Sequence, residues 1–360
     1  MKGVFFVMAE KNREQFRSRF GLIMAAAGSA VGLGNVWRFP YITGKYGGAA
    51  FLIFYIIVVI VVGASLMLAE FAMGRKARQG SVGAFRLLAG GPWNIVGWAG
   101  FLIGFVILSY YAVIAGWAFS YIFQSFTGLM DAANAGKAGD IFGAFISNPQ
   151  KSILFFAIVM AFVTAVGYRG LSEGIEKSCK ILMPALFVIL LILIVRSVTL
   201  DGSAAGLQFY LIPDFSKLTG EGMLNAISQG FYSLSLAMGI MVTYGSYIGK
   251  DDYMPKTAAI IVGLDSLVAF LSGLIIFPAA FAFGIEPNAG PGLTFITLPT
   301  VFAKMPMGAL FSFAFFTLLF IAAITSSFSL FEVTVSFAMD ELKMTRRSGS
   351  LLMGILITLF

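Results

Sequence analysis

The sequence is 360 residues long, 59% hydrophobic and only 11% charged, with a mean hydropathy of +0.92 and a formal charge of +7. An ordinary soluble domain carries roughly 25% charged residues, so a soluble fold would need a core too large for this length, whereas lipid-facing surface accounts for the missing charge. Continuous apolar runs exclude a transmembrane β-barrel, the absence of histidine excludes His acid–base chemistry and His metal sites, and the single Cys179 excludes a disulfide within the chain.

Residues 1–19 are basic and lack an apolar run followed by a small-residue cleavage site, so a cytoplasmic N-terminal tail is expected. About nine spans follow, at 20–46, 50–73, 94–126, 152–167, 174–197, 222–249, 256–283, 307–340 and 351–360. A helix needs about 20 mostly apolar residues to cross the hydrocarbon. Several spans exceed that and are expected to tilt or project into water. The ninth runs only ten residues, so the sequence reads as truncated within span 9. Stretches 127–151 and 198–221 contain Gly and Asp and are expected as solvated external connections. The Gly- and Pro-rich stretch 286–306 surrounds an apolar segment, 295–302, and is expected to form a broken helical lid over an outer vestibule.

With the N-terminus inside, 17 of the 24 Lys and Arg fall on the cytoplasmic side of these spans. Arg38, Lys45, Lys137, Lys151, Arg196, Lys217 and Lys304 fall outside or near the outer ends. That asymmetry is the positive-inside bias, and it fixes the orientation. The basic charge therefore needs no nucleic-acid partner.

Two spans are poor lipid-facing helices. The first carries Gly28, Gly32 and Gly34, then Asn35, Arg38 and Pro40. Interior Gly costs up to about 1 kcal/mol relative to Ala, and Pro removes a ladder bond. Close helix packing explains small residues, but Asn35 and Arg38 need a cavity or a partner. The sixth span carries Gln229, Ser233 and Ser235 at mid-depth, with Thr243, Tyr244 and Ser246 beyond. A helix hides one or two hydroxyls on its own carbonyls; this cluster points to something polar. Two interrupted spans five apart in order point to an inverted-repeat transporter with a midplane site.

These residues resemble a known family. GSAVGLGNVWRFP at 28–40, GGAAFLIFY at 47–55, EFAMGR at 70–75, Tyr110-Tyr111, Gln229 with Ser233–Leu236, TSS at 325–327 and DEL at 340–342 follow the order of the neurotransmitter:sodium symporter family. The match spans essentially the whole chain and is similar to its bacterial amino-acid branch, the leucine and multi-hydrophobic amino-acid transporters. The resemblance implies an all-α polytopic membrane protein with a LeuT-like inverted-repeat fold. Residues 20–197 would form the first five-helix repeat and 222–360 an incomplete second one, in a bacterial inner membrane.

The resemblance also implies roles. One sodium site would use Ala30, Asn35, Ser233 and Asp265 with the substrate carboxylate, and a second Gly28, Val31, Ala322, Thr325 and Ser326. Oxygen-only ligation suits a hard cation. No organic cofactor is expected. The substrate pocket would be lined by Ser29, Ala30, Gly32, Leu33, Gly34, Ile107, Tyr111, Tyr232, Ser233, Ser235, Met238, Ser326 and Leu330. Monoamine-transporting relatives carry an aspartate where Gly32 stands, so the glycine implies a substrate with its own carboxylate. Ile107, Met238 and Leu330 make that substrate a neutral amino acid, hydrophobic or aromatic, and Met238 is adaptable. Arg38, Tyr111 and Tyr232 resemble an outer gate. Arg13 and Asp340, with Phe16, Ser246 and Tyr247, resemble an inner gate. Gly174 and Pro184 resemble a motif that lets the fifth span unwind. Asp265 stands where many relatives have asparagine, and Ala269 replaces a serine. A fixed carboxylate would then supply the charge that a halide supplies elsewhere, implying chloride-independent transport. Glu70 is expected to accept from amides freed at the breaks. Glu332 departs from the family pattern and is expected as a satisfied interior acid.

A channel would need a continuous polar file or charged rings, whereas the polar residues cluster at one depth. An intramembrane enzyme finds no acid–base constellation. A sodium-dependent amino-acid-binding sensor, or an inactive fragment without transport, remains the alternative to a sodium-coupled importer.

Overall fold

The computed structural model describes residues 13–284 and 292–360. It is all-helical: α1 (Arg19–Ala30), α2 (Gly34–Lys45), α3 (Ala49–Ala77), α4 (Ser81–Leu88), α5 (Gly91–Gln124), α6 (Leu129–Asn134), α7 (Ala138–Ile146), α8 (Pro149–Tyr168), α9 (Leu171–Val198), α10 (Ser203–Leu211), α11 (Gly220–Ser233), α12 (Ile240–Gly245), α13 (Met254–Ala282), α14 (Leu298–Ala303), α15 (Gly308–Asp340) and α16 (Arg346–Leu359). Among the described residues six helices are long and apolar enough to cross a membrane, or seven when the bent pair α1–α2 is counted as one span. The pair α11–α12 and the 14-residue α16 do not reach that length individually.

α15 lies at the centre, packed along α5 and touching α1, α8, α9 and α16. Its buried face includes Thr325, Ser326, Ser327, Ser329 and Glu332. Helices that surround it turn Ile57, Val61, Leu102, Leu154, Val188 and Leu191 outward. That outward apolar surface belongs in lipid.

The first span breaks where the sequence places its glycines, with α1 and α2 bent by 46°. Val31 is extended (φ −76°, ψ 96°), and Asn35 Oδ1 accepts from the Gly32 amide at 3.0 Å in place of a helical carbonyl. Between α11 and α12, Ser235, Ala237 and Gly239 all have positive φ (55°, 61° and 73°). Left-handed backbone costs a non-glycine residue about 1–2 kcal/mol, and the neighbours offset it. Ser235 Oγ donates to Ser29 O at 3.0 Å, and Glu70 Oε1 accepts from Ala237 N at 2.7 Å. Glu70 thus accepts from an amide freed at a break, as the sequence implied.

Two expectations need correction. Stretches 127–151 and 198–221 are not open loops but carry α6, α7 and α10, because Phe145 and Tyr210 bury against the bundle; Tyr210 Oη donates to Phe270 O at 3.0 Å. The ninth helix starts at Arg346, before the expected 351, because that arginine is buried in an ion pair and not solvated. The lid segment is described only from 292 onward, so part of that expectation lies outside the described residues. Its helical turns pack inward: Phe295 stacks on Phe142 (5.2 Å, 4°) and meets Trp37 edge-on at 5.9 Å.

Candidate functional site

The two breaks face each other and enclose a cavity of about 20 Å³. Its walls are Ser29, Ala30, Gly32 and Gly34 from the first break; Ile107 and Tyr111 from α5; Tyr232, Ser233, Ser235, Met238 and Ile240 around the second; and Ser326 and Leu330 from α15. Every lining residue expected from the sequence is there except Leu33, whose amide donates to Tyr111 Oη at 2.9 Å. Ile240 joins the wall beyond the expected set; in sequence nothing distinguishes it from Met241 and Val242 beside it, which are buried but line no part of this cavity. A Cβ on Gly32 would sit 2.5 Å from Ser326 Oγ and 2.6 Å from Tyr111 Oη. Glycine is what lets those hydroxyls approach the broken backbone.

Of the residues expected at the first sodium site, Asn35, Ser233 and Asp265 form one buried network, while Ala30 lines the cavity. Asn35 Nδ2 donates to Asp265 Oδ1 at 2.8 Å and to its backbone carbonyl at 3.1 Å. Ser233 Oγ donates to Oδ1 at 2.7 Å and Tyr55 Oη to Oδ2 at 3.1 Å. Asp265 is fully buried, and a buried carboxylate is tolerable only when so satisfied. Tyr55 was not singled out, because it lies in an apolar run that reads as lipid-facing.

At the second site Ser326 Oγ lies 3.0 Å from Ser29 O, 3.3 Å from Gly28 O and 3.2 Å from Ala322 O. Its single hydrogen serves one of these carbonyls at a time. Gly28 faces Thr325, with 3.2 Å from an ideal Cβ to Thr325 Cβ. The Thr325 hydroxyl itself turns back onto Ile321 O (3.0 Å) and Ala322 O (3.2 Å). Val31 ends the same α1 strand of backbone.

Toward one end, the Arg38 guanidinium donates to Gln229 Oε1 and lies 5.7 Å from the Tyr232 ring centroid. Gln229 Nε2 donates in turn to Gly34 O at 2.8 Å, tying α2 to α11. Toward the other, Arg13 forks onto Asp340 (2.8 and 2.7 Å), donates to Ser336 Oγ at 2.8 Å, and stacks on Tyr247 at 4.7 Å. Phe16 meets Tyr247 edge-on at 6.3 Å. Ser246 does not join this pair; its hydroxyl donates to Thr243 O within its own helix.

The chain matches the sodium:neurotransmitter symporter family over residues 13–138 and 146–360. It belongs to that family. A sodium-dependent transporter of Bacillus subtilis is 39% identical over 98% of this chain and 78% of its own length. One from Methanocaldococcus jannaschii is 34% identical over 96% and 73%. The Drosophila melanogaster sodium- and chloride-dependent GABA transporter ine is 29% identical over 92% and 40%. Among solved structures, MhsT in complex with L-phenylalanine superposes with a TM-score of 0.89 at 46% identity, covering 96% of this chain and 79% of that one.

The symporter family is one of sodium-dependent membrane transporters, so the long apolar helices are membrane spans of an integral membrane protein. In this symporter the acid left without a role by sequence has a partner. Arg346 forks onto Glu332 (2.7 and 2.8 Å), Tyr247 Oη donates to the same carboxylate, and Arg346 Nε reaches Glu14 at 2.9 Å. Through Glu14, which is exposed, this buried Arg346–Glu332 pair also ties the N-terminal segment to α15–α16, beside the Arg13–Asp340 pair. An arginine assigned to a solvated turn hid it.

Proposed function

We propose that this protein is a sodium-coupled symporter that imports neutral hydrophobic or aromatic amino acids by alternating access. The observation that carries this reading is the cavity between the two breaks. Its apolar walls are Ile107, Met238, Ile240 and Leu330, and its polar groups are backbone and hydroxyls, with no Lys, Arg or acid to neutralise a charged side chain. Freed amides at the first break suit a carboxylate, and freed carbonyls suit a cation. The bound L-phenylalanine of MhsT is of the same class. At about 20 Å³ the cavity holds little more than a water, so the half-buried Tyr232, Ile107 or Met238 rotates to admit a side chain. A thermal-shift panel of the twenty amino acids with and without sodium tests the class, because a ligand stabilises the state it binds. Stabilisation by Phe, Trp, Leu or Ile only with sodium is expected; stabilisation by Lys or Glu would overturn the class.

Two sodium ions accompany the substrate in this proposal, one at Ala30, Asn35, Ser233 and Asp265, the other at Gly28, Val31, Ala322, Thr325 and Ser326. Each inward sodium contributes roughly 2.3 kcal/mol per 100 mV. Two would sustain a gradient of over about three decades at about 1.4 kcal/mol per decade. The Thr325 hydroxyl donates its hydrogen to its own helix and keeps its lone pairs for a cation. Thr325→Ala with Ser326→Ala is expected to raise the sodium concentration for half-maximal uptake at least about tenfold, some 1.4 kcal/mol. Unchanged sodium activation would remove the second site.

Transport is chloride-independent in this proposal, since Asp265 already places a carboxylate between Asn35, Ser233 and Tyr55. Uptake is expected to persist when gluconate replaces chloride, and its disappearance would refute the point. The orientation follows the Lys and Arg distribution: nine spans in a bacterial inner membrane, the N-terminus cytoplasmic, with residues 20–197 and 222–360 as the two repeats.

A further inference from the structure

α12 is six residues long, and the residues at its start, Met238 and Ile240, are cavity walls. A helix that short does not hold by itself, because nucleation costs more than one turn of hydrogen bonds returns. Its last carbonyls are met by the amides of Ser246, Tyr247 and Ile248, but the carbonyls of Ser246 and Ile248 just beyond need partners from elsewhere. α3 and its cap supply both: Glu70 and Gly74, four apart, share a helix face, and Arg78 follows as the C-cap.

At the near end Glu70 Oε1 accepts from Ala237 N at 2.7 Å, in the break just ahead of α12. In the middle the two backbones touch. A Cβ on Gly74 would lie 1.9 Å from Val242 O and 2.8 Å from Ser246 N, and one on Gly245 would lie 2.7 Å from Phe71 O. At the far end Arg78 caps α3 in a left-handed conformation (φ 52°). Its guanidinium donates to Ile248 O at 2.8 Å and Ser246 O at 3.3 Å, the carbonyls just past α12. Arg75 extends the hold to Asp252 O at 3.0 Å. An acid thus stands at the positive end of the half-helix and a base at its negative end, the arrangement its dipole favours.

We propose that Glu70, Gly74 and Arg78 form a cradle that positions α12, so that α3 sets where Met238 and Ile240 stand. Arg78 is a positioning residue: it lines no part of the cavity and acts through α12. The proposal rests on the transport reading for its kinetic consequence and on these contacts alone for its structural one.

The test uses the intact protein in nanodiscs and proteoliposomes, with Arg78→Gln and Arg78→Lys. Hydrogen exchange followed by mass spectrometry reads α12, and sodium-driven uptake of L-phenylalanine reads KM against maximal rate. Arg78→Gln is expected to speed exchange in peptides covering 237–248 but not in α5 or α15, and to raise KM at least about tenfold while the maximal rate falls less than about threefold, the split of a lost positioning contact. Arg78→Lys is expected to recover KM to within about threefold, since one ammonium reaches one of the two carbonyls. Wild-type exchange and KM in Arg78→Gln would overturn the cradle, as would faster exchange spread evenly over all helices. If Arg78→Gln does not fold, Glu70→Gln, which weakens the acceptor at the other end of the cradle, decides on the exchange reading: locally faster exchange at 237–248 supports the cradle, and a wild-type pattern overturns it. Wild-type protein that shows no sodium-dependent uptake would defeat the transport reading, while exchange at 237–248 still tests the cradle.

Discussion

Asp265→Ala is expected to abolish sodium-activated uptake, lowering it at least about 100-fold at saturating substrate. Asn35, Ser233 and Tyr55 all donate to this carboxylate in a fully buried setting. Removing the acceptor strands three donors, each costing about 1–3 kcal/mol. It also removes the negative charge proposed to face the first sodium, and two decades correspond to only about 2.8 kcal/mol. Asp265→Asn keeps the shape and one acceptor oxygen, so a smaller loss is expected, with sodium affinity reduced about tenfold. On the proposal that the carboxylate stands in for a halide, Asp265→Asn should also become stimulated by chloride. Sodium-activated uptake of wild-type magnitude in Asp265→Ala would contradict the first-site assignment. A monodisperse elution profile in detergent separates lost coupling from lost folding.

Gly32→Ala is expected to weaken sodium-dependent binding of a hydrophobic amino acid by about tenfold or more. The added methyl meets Ser326 Oγ at 2.5 Å and Tyr111 Oη at 2.6 Å, closer than carbon and oxygen tolerate. Overpacking of this kind costs about 1–3 kcal/mol. The strain falls on the Leu33–Tyr111 hydrogen bond and on the hydroxyl beside Gly28 and Ser29, so both the cavity and the proposed second sodium site are affected. Tyr111→Phe removes one of the two obstructing oxygens, and combined with Gly32→Ala it should recover part of the loss. Wild-type affinity in Gly32→Ala would mean that the carboxylate end of the substrate does not bind beside Gly32.

How much of this was legible in the sequence depended on how far apart partners lie. Gly32, Asn35, Arg38 and Pro40 stand within nine residues, and no lipid-facing helix explains them together, so the first break could be read directly. Ser233 and Ser235 marked the second break by their depth. The lining set came from the family resemblance, and the structure gathers it on one cavity apart from Leu33. Tyr55 and Ile240 stayed hidden because an aromatic or aliphatic residue in an apolar run carries no mark of which way it faces. Glu332 and Arg346 are separated by a turn that reads as solvated, so only the three-dimensional packing of α16 on α15 reveals the pair. Stretches 127–151 and 198–221 misled for a related reason. Gly128 and Gly202 precede short helices, and Asp131 and Asp140 sit in first turns, while the apolar faces, at Phe145 and Tyr210, reach back into the bundle.

The central claim, sodium-coupled transport of a neutral hydrophobic amino acid, is tested most directly by uptake of labelled L-phenylalanine into proteoliposomes under an inward sodium gradient. The account predicts transient accumulation above equilibrium in gluconate medium, abolished by potassium replacement of sodium or by a sodium ionophore. Sodium-dependent binding of L-phenylalanine with neither accumulation nor counterflow would contradict it and identify a sensor instead.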